Sequence, residues 1–325
     1  MEINDELYGN YRVEPILEKL IFSAEVQRLK KVHMAGPAVL VNPLWNETRY
    51  EHSLGVMLLI RKLGGSLEEQ IAGLLHDISH TAFSHVVDLA LDNEREDYHE
   101  QIKASFIQQS EVAAILENYG YSIQDLLFND EQWPLLEQEA PLLCCDRLDY
   151  TLREIQRYFA VPLTEIHAFL KDIAVIDQRI VLQSIKWAEW FIDQYRKVVI
   201  DFFYDPRNLC SYEWLAQAIR QGLKSQQISS DDLLMTDQVF LEKLKQIDSA
   251  EIQELLAKFT QPFTWQFCSS QDNYDIFQKK KLRLVDPLVK TSKGILPVSQ
   301  LSPEACEKIE QLRLDSEQGI YLIIN

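Results

Sequence analysis

The amino-acid sequence predicts a mainly α protein, a helical bundle that ends in a small α+β C-terminal portion. Three observations predict it. Apolar residues recur at spacings of three and four through most of the first 225 residues, the period of an amphipathic helix. Glycine supplies only 10 of 325 residues, about 3% against the usual ~7%. Neither G-x-G-x-x-G nor G-x-x-x-x-G-K-[ST] occurs, which argues against a glycine-rich phosphate-loop enzyme. Beyond about residue 260 the helical period gives way to short alternating runs.

Taken in order, helical periodicity marks residues 14–32, 52–63, 66–75, 111–118, 135–159 and 184–204. Ser66 with Glu69 has the spacing of a capping box. Pro37 and Pro43 bracket a loop, and Pro162 and Pro206 punctuate later helices. Residues 173–182 alternate around a polar turn at Asp177-Gln178 and read as a hairpin. In the tail, 274–289 and 295–298 read as short strands, 303–313 as a helix and 319–324 as a closing strand. The expected organisation is a helical domain over 1–225, followed over 226–325 by an acidic helical connector and the α+β region.

Composition narrows the partners. Net charge is −18, from 32 Lys and Arg against 50 Asp and Glu, a field that repels nucleic acid and anionic membranes. The basic run Lys279-Lys280-Lys281-Leu282-Arg283 is short and reads as a solvated edge. No apolar run approaches the ~18 residues of a membrane span, and the acidic start MEINDELYGN is neither a signal nor a transit peptide. Five cysteines without a C-x-x-C, two of them the adjacent Cys144 and Cys145, predict a reduced, cytoplasmic protein. An acidic enzyme acting on an anionic substrate needs a metal and a local set of arginines.

The histidines locate that site. Six of the seven, at 33, 52, 76, 80, 85 and 99, fall within 67 residues. His76 and Asp77 are adjacent, and imidazole beside carboxylate makes a mixed N/O site suited to Mn, Fe, Ni or Mg. Asp146, Asp149, Tyr150, Arg153, Glu154 and Arg157 recur at three and four and share a helix face. Leu142, Cys145, Leu148, Leu152, Ile155 and Phe159 supply the apolar face. His85 and Asp88 stand three apart, so that a carboxylate can orient an imidazole. His167, outside the cluster, reads as packing or surface.

Several motifs then occur in family order: DELYG at 5–9, VQRLKKV at 26–32, RYEHSLGV at 49–56, IAGLLHDISHTAFSH at 71–85, HEQ at 99–101 and DRLDYTLRE at 146–154. In these motifs the chain resembles the HD superfamily of metal-dependent phosphohydrolases, and most closely its deoxynucleoside-triphosphate triphosphohydrolase branch. The resemblance implies four metal ligands, His52, His76, Asp77 and Asp146. It implies that His80, Asp88 and His99 surround the scissile phosphate, that Arg49 and His85 line the pocket, and that Asp149 and Tyr150 lie on the helix of the last ligand, with Tyr150 facing base or sugar. Relatives assemble, so a homo-oligomer is expected.

Four departures fall on substrate-shaping positions. Thr81-Ala82 stands where the branch has Gly-Pro. His33-Met34-Ala35 stands where its Gln-Leu-Gly contacts the sugar. Arg153-Glu154 stands where its Arg-Asp meets the 3′ hydroxyl, and Tyr8 where histidine is usual.

The expected chemistry is hydrolysis by a metal-activated water, with His80 or His99 moving the proton and Asp88 fixing one of them. Arg49, Arg147 and Arg153 would hold the other phosphate oxygens; Lys30 and Lys31 would matter for a polyphosphate. The expected substrate is a nucleotide or other small phosphate ester, foremost a deoxynucleoside triphosphate releasing triphosphate. The alternatives are a phosphomonoesterase on nucleoside monophosphates or other small phosphates, and a non-catalytic nucleotide-binding regulator.

Overall fold

The computed structural model describes residues 1–128, 132–269 and 272–325. A short antiparallel hairpin, β1 (Glu2–Asp5) and β2 (Gly9–Arg12), leads into helices α1 (Pro15–Ile21), α2 (Ala24–Arg28), α3 (Arg49–Lys62), α4 (Leu67–Leu75), α5 (Val86–Ala90), α6 (Tyr98–Gln108), α7 (Glu111–Asn118) and α8 (Ile123–Leu127). Helices α9 (Cys145–Phe159), α10 (Leu163–Asp172), α11 (Ile185–Arg196) and α12 (Pro206–Lys224) complete the body, with the hairpin β3 (Ile173–Ile176) and β4 (Arg179–Leu182) between α10 and α11. Helices α13 (Asp237–Lys245) and α14 (Ala250–Ala257) follow. The tail carries β5 (Trp265–Cys268), β6 (Ile276–Gln278), β7 (Leu288–Thr291), β8 (Gly294–Pro297), α15 (Pro303–Glu317) and β9 (Ile320–Ile324). The protein is mainly α with small sheets, as the periodicity predicts. Among the described residues no helix is long and apolar enough to cross a membrane.

Where the elements differ from expectation, local chemistry explains it. The run 14–32 divides because Ser23 accepts the Val26 amide and starts α2 afresh. Ser66 does cap α4, but Glu69 does not return to it; its carboxylate accepts the amides of Leu135 and Leu136 at 2.7 and 3.3 Å. The reciprocal capping box forms instead at Thr48 and Glu51, at the start of α3. The helix expected from 135 begins only at Cys145, since Pro141 has no amide to donate and cannot occupy a helix interior. Beyond Arg196, α11 widens into a π-helical turn over Lys197–Phe202. The 173–182 hairpin turns where expected, with Asp177 and Gln178 both at positive φ, 51° and 60°.

The tail run 274–289 yields strand only at 276–278 and 288–291, and β5 was not anticipated. Strand β9 lies at the centre of the antiparallel sheet β5-β9-β6. The other sheet, β3-β4-β7-β8, draws strands from both sides of residue 225, joined by parallel pairing of β4 with β7.

Helices α3, α4 and α9 pack on one another around the main apolar core. Gly55 on α3 lies directly against the Asp149 and Arg153 side chains, leaving no room there for a Cβ. Gly36, at φ +56°, sits against the Tyr212 hydroxyl and the Phe83 carbonyl, so the loop before α3 reaches the 81–85 turn through a residue that only glycine suits. These close approaches bring α3, the end of α4 and the start of α9 together.

Candidate active site and metal centre

His52 lies one turn into α3, His76 and Asp77 follow the last turn of α4, and Asp146 lies in the first turn of α9, where the helix dipole favours a carboxylate. His52, His76 and Asp146 offer ligand atoms all within 4.8 Å of one another. His52 Nε2 is 2.9 Å from Asp146 Oδ1, and His76 Nε2 is 3.5 Å from the same oxygen. Asp77 stands at the edge of this group, with Oδ1 3.5 Å from His76 Nε2 and Oδ2 3.8 Å from His52 Nε2.

Each imidazole is anchored by its far nitrogen. His52 Nδ1 meets the buried Asp149 carboxylate at 2.9 Å, and His76 Nδ1 meets the Gly73 carbonyl, an otherwise open end of α4, at 2.8 Å. This arrangement directs both Nε2 atoms at the cluster, as in metal-binding histidines whose other nitrogen is hydrogen-bonded. Among the described residues His76 Nε2 is buried without a hydrogen-bond partner. A cation at the centre of the group would satisfy it. Against burial, hydrogen bonds to Asp146 and Asp149 raise the His52 pKa to about 10. His76 is also raised, by Asp77 and Asp146 against burial. Asp77 is held well below the carboxylate range by Arg49, His76 and His80, although burial opposes this. The donor set is thus one that attracts positive charge.

A second group adjoins the first. His80 and His99 stack with ring centroids 3.9 Å apart, and His85 packs edge-on against both. His80 Nε2 is 3.2 Å from Asp77 Oδ1. Burial, Arg49 and His99 push the His80 pKa well down, and burial followed by His85 pushes His99 down to about 3. Both rings are therefore neutral near pH 7. Asp88 hydrogen-bonds to His85 Nδ1 at 3.1 Å, so it orients that ring rather than His80 or His99.

The residues expected to meet substrate divide into two sets. Arg49 reaches the site, with Nη1 2.6 Å from Asp77 Oδ2 and Nε 3.0 Å from Ser84 Oγ. Tyr150 lies beside His52, ring centroids 6.4 Å apart, with its hydroxyl 3.5 Å from that of Tyr195. Arg147, in contrast, donates to the carbonyls of Leu142 and Gln138 and pairs with Glu137. Arg153 is held by Asp149 and by Asp5. Asp149 is fully buried, shared among His52, Arg153 and the Tyr8 hydroxyl, so it supports His52 from behind instead of facing substrate. Glu154 is buried with Oε2 unpartnered. His33 Nδ1 is tied to Asp237 at 2.7 Å. His167 bonds the Glu6 carbonyl, away from the cluster.

Sequence reasoning missed Glu47, Asp237 and the work of Arg28. Glu47 is buried near His52 and Asp149, both its oxygens lack partners, and burial with Asp149 pushes its pKa up to about 8. Arg28 donates to the carbonyls of Ile78 and His80, and so holds the turn that presents His80. Neither Glu47 nor Asp237 has a local pattern that would have singled it out; Arg28 lay in a quoted motif whose role was not read.

Comparison with known proteins agrees with this geometry. The HD domain model matches residues 49–153, which include His52, His76, Asp77 and Asp146. The chain is 47% identical over 324 residues to the uncharacterized protein YdhJ of Bacillus subtilis, covering all of this chain and 99% of that one. It is 30% identical to the metal-dependent phosphohydrolase cns2 of Cordyceps militaris, over 88% of this chain and 84% of that protein. The deoxynucleoside triphosphate triphosphohydrolase SAMHD1 of Gallus gallus is 29% identical over 40% of this chain and only 25% of its own length. A crystal structure of a hypothetical protein from Aquifex aeolicus shares the fold at TM-score 0.69 and 22% identity, covering 97% of this chain and 99% of that one. With two of these relatives matched over nearly their full length, the chain belongs to the HD-domain metal-dependent phosphohydrolases.

Proposed function

We propose that the protein hydrolyses the phosphate ester of a nucleotide, and that its first substrate class is the deoxynucleoside triphosphates, cleaved to deoxynucleoside and triphosphate. The observation that carries the hydrolytic reading is the unpartnered His76 Nε2, aimed into a group of His52, Asp146 and Asp77 whose imidazoles are anchored from behind. His52, His76, Asp77 and Asp146 would hold one divalent metal, for which Mn, Fe, Ni and Mg are the candidates on donor type. Bound there, the ion would acidify a water and polarise a phosphoryl oxygen.

This chain's own residues supply the rest. Arg49, a short reach from Asp77, carries the guanidinium for a phosphate oxygen. His80 and His99, kept neutral, each retain a ring nitrogen that can accept a hydrogen bond and so orient the attacking water. Tyr150, one turn beyond Asp146 on α9 and beside His52, is the side chain of that helix placed to meet the rest of the substrate. The similarity to SAMHD1 supports the triphosphate substrate, as do the shared motifs.

One observation favours a second reading, a phosphomonoesterase. Arg147 and Arg153 are committed to backbone carbonyls and to Asp149 and Asp5, so fewer cations remain to line a polyphosphate. The deciding experiment incubates the purified protein with each candidate metal and a panel of nucleotides, and separates phosphate from triphosphate by chromatography. Triphosphate from a deoxynucleoside triphosphate establishes the first reading; inorganic phosphate from a monophosphate alone overturns it in favour of the second. Binding without any product would mark a regulator.

A further inference from the structure

Asp237 opens α13, far in sequence from the HD motifs, yet its side chain is only 4% exposed and ends beside the site. Its Oδ2 accepts from the His33 backbone amide at 2.9 Å and meets His33 Nδ1 at 2.7 Å. Its Oδ1 accepts from the Phe83 amide at 2.6 Å. Phe83 and Ser84 both have positive φ, 57° and 54°, a conformation that residues with side chains adopt only when held. Ser84 continues the chain of contacts: its hydroxyl donates to the His33 carbonyl at 2.7 Å and accepts from Arg49 Nε at 3.0 Å. Arg49 in turn reaches Asp77 at 2.6 Å. An unbroken run of hydrogen bonds therefore connects Asp237 to the HD aspartate.

A carboxylate only accepts hydrogen bonds. Facing one at 2.7 Å, Nδ1 must carry the ring hydrogen, and in the neutral imidazole Nε2 is then the acceptor. The His33 side chain is 26% exposed, so its ring is not sealed inside the protein. We propose that Asp237 is a positioning residue of the site, which fixes His33 with its hydrogen on Nδ1 and thereby makes Nε2 the acceptor for a hydrogen-bond donor of the substrate, such as a hydroxyl. The substrate half of this inference rests on the nucleotide-hydrolase reading; the tautomer does not.

Two readouts test it on the full-length, metal-loaded protein. Nitrogen NMR of histidine-labelled protein, with the His33 signals identified by their loss in His33→Phe, reports which ring nitrogen bears hydrogen. The wild type is expected to show Nδ1–H. Asp237→Ala removes both acceptor oxygens, so His33 is expected to lose its fixed tautomer and share the hydrogen between Nδ1 and Nε2. Unchanged His33 signals in this variant overturn the proposal, whatever the activity.

With a nucleotide that is turned over, Asp237→Ala is expected to raise KM about tenfold, the scale of one hydrogen bond to substrate, with kcat within about twofold. His33→Phe leaves the Asp237–Phe83 bond in place and is expected to raise KM by the same factor. The double variant is expected to add nothing further, because both changes remove one interaction. Additive KM effects, or a fall in kcat at constant KM, would show that Asp237 acts only as a prop and overturn the assignment. Absence of turnover on every nucleotide would defeat the hydrolase reading while leaving the tautomer result standing.

Discussion

Two groups of histidines share Asp77 and lie a few ångströms apart, yet their electrostatics are opposed. In one, Asp146 and Asp149 outweigh burial and raise His52 to about 10. In the other, burial together with His85 lowers His99 to about 3, and burial together with Arg49 lowers His80. The residue type is the same in both, so the neighbours decide. Imidazoles facing carboxylates form a place for a cation; imidazoles facing a guanidinium and one another form a neutral, hydrogen-bonding wall. A metal site and a neutral water-orienting site can thus be built side by side from one kind of side chain.

That contrast can be broken one member at a time. The largest effect is expected from His76→Ala, which removes the ring with the unpartnered Nε2. Metal content measured by atomic emission should collapse, and hydrolysis should fall by more than about 100-fold, beyond the range for residues that merely support ligands. His80→Ala should also reduce turnover, by roughly 10-fold to 100-fold for loss of a ring that orients the water and supports Asp77. Its metal content should stay at the wild-type level. Equal metal loss in both variants would erase the distinction between the groups.

The smallest effect is a stability change at the edge of the first group. Glu47 is pushed up to about 8 by burial and by Asp149. Between its ordinary pKa and about 8 the folded protein therefore binds a proton that the unfolded chain releases, and stability falls as pH rises through that window. Glu47→Gln stays neutral throughout. Thermal denaturation should show little difference from wild type at pH 5 and a gain for the variant at pH 9, of the order of 2 °C or more in Tm. A gain of the same size at both pH values would mean that Glu47 titrates alike in the folded and unfolded chains, and that its pKa is not raised.

Much of the architecture was legible in the chain. The helix over 111–118, the hairpin turn at Asp177-Gln178 and the mainly α character follow from period, turn chemistry and glycine content, all of which are local. Errors arose where a local signal met a competing demand. The Ser66-Glu69 pattern is genuine, but Glu69 serves two amides 66 and 67 residues away. The run before Cys145 has helical period, but proline interrupts it. Among the site residues, the stripe on α9 was visible as spacing, whereas its division was not. Asp149 meets His52 from behind and, with Arg153, packs against Gly55, while Asp146 meets the other nitrogen of His52 with Tyr150 beside the ring.

The sequence by itself determined which side chains can bind a cation and move a proton, because imidazole and carboxylate carry that chemistry wherever they stand. Tertiary structure alone decided which of them are partnered. It assigned Asp149 to His52, Arg153 to Asp5 and Asp237 to His33. The physical reason is that hydrogen bonding and burial act over a few ångströms of space, and residues 97, 148 or 204 positions apart acquire that proximity only when the helices pack.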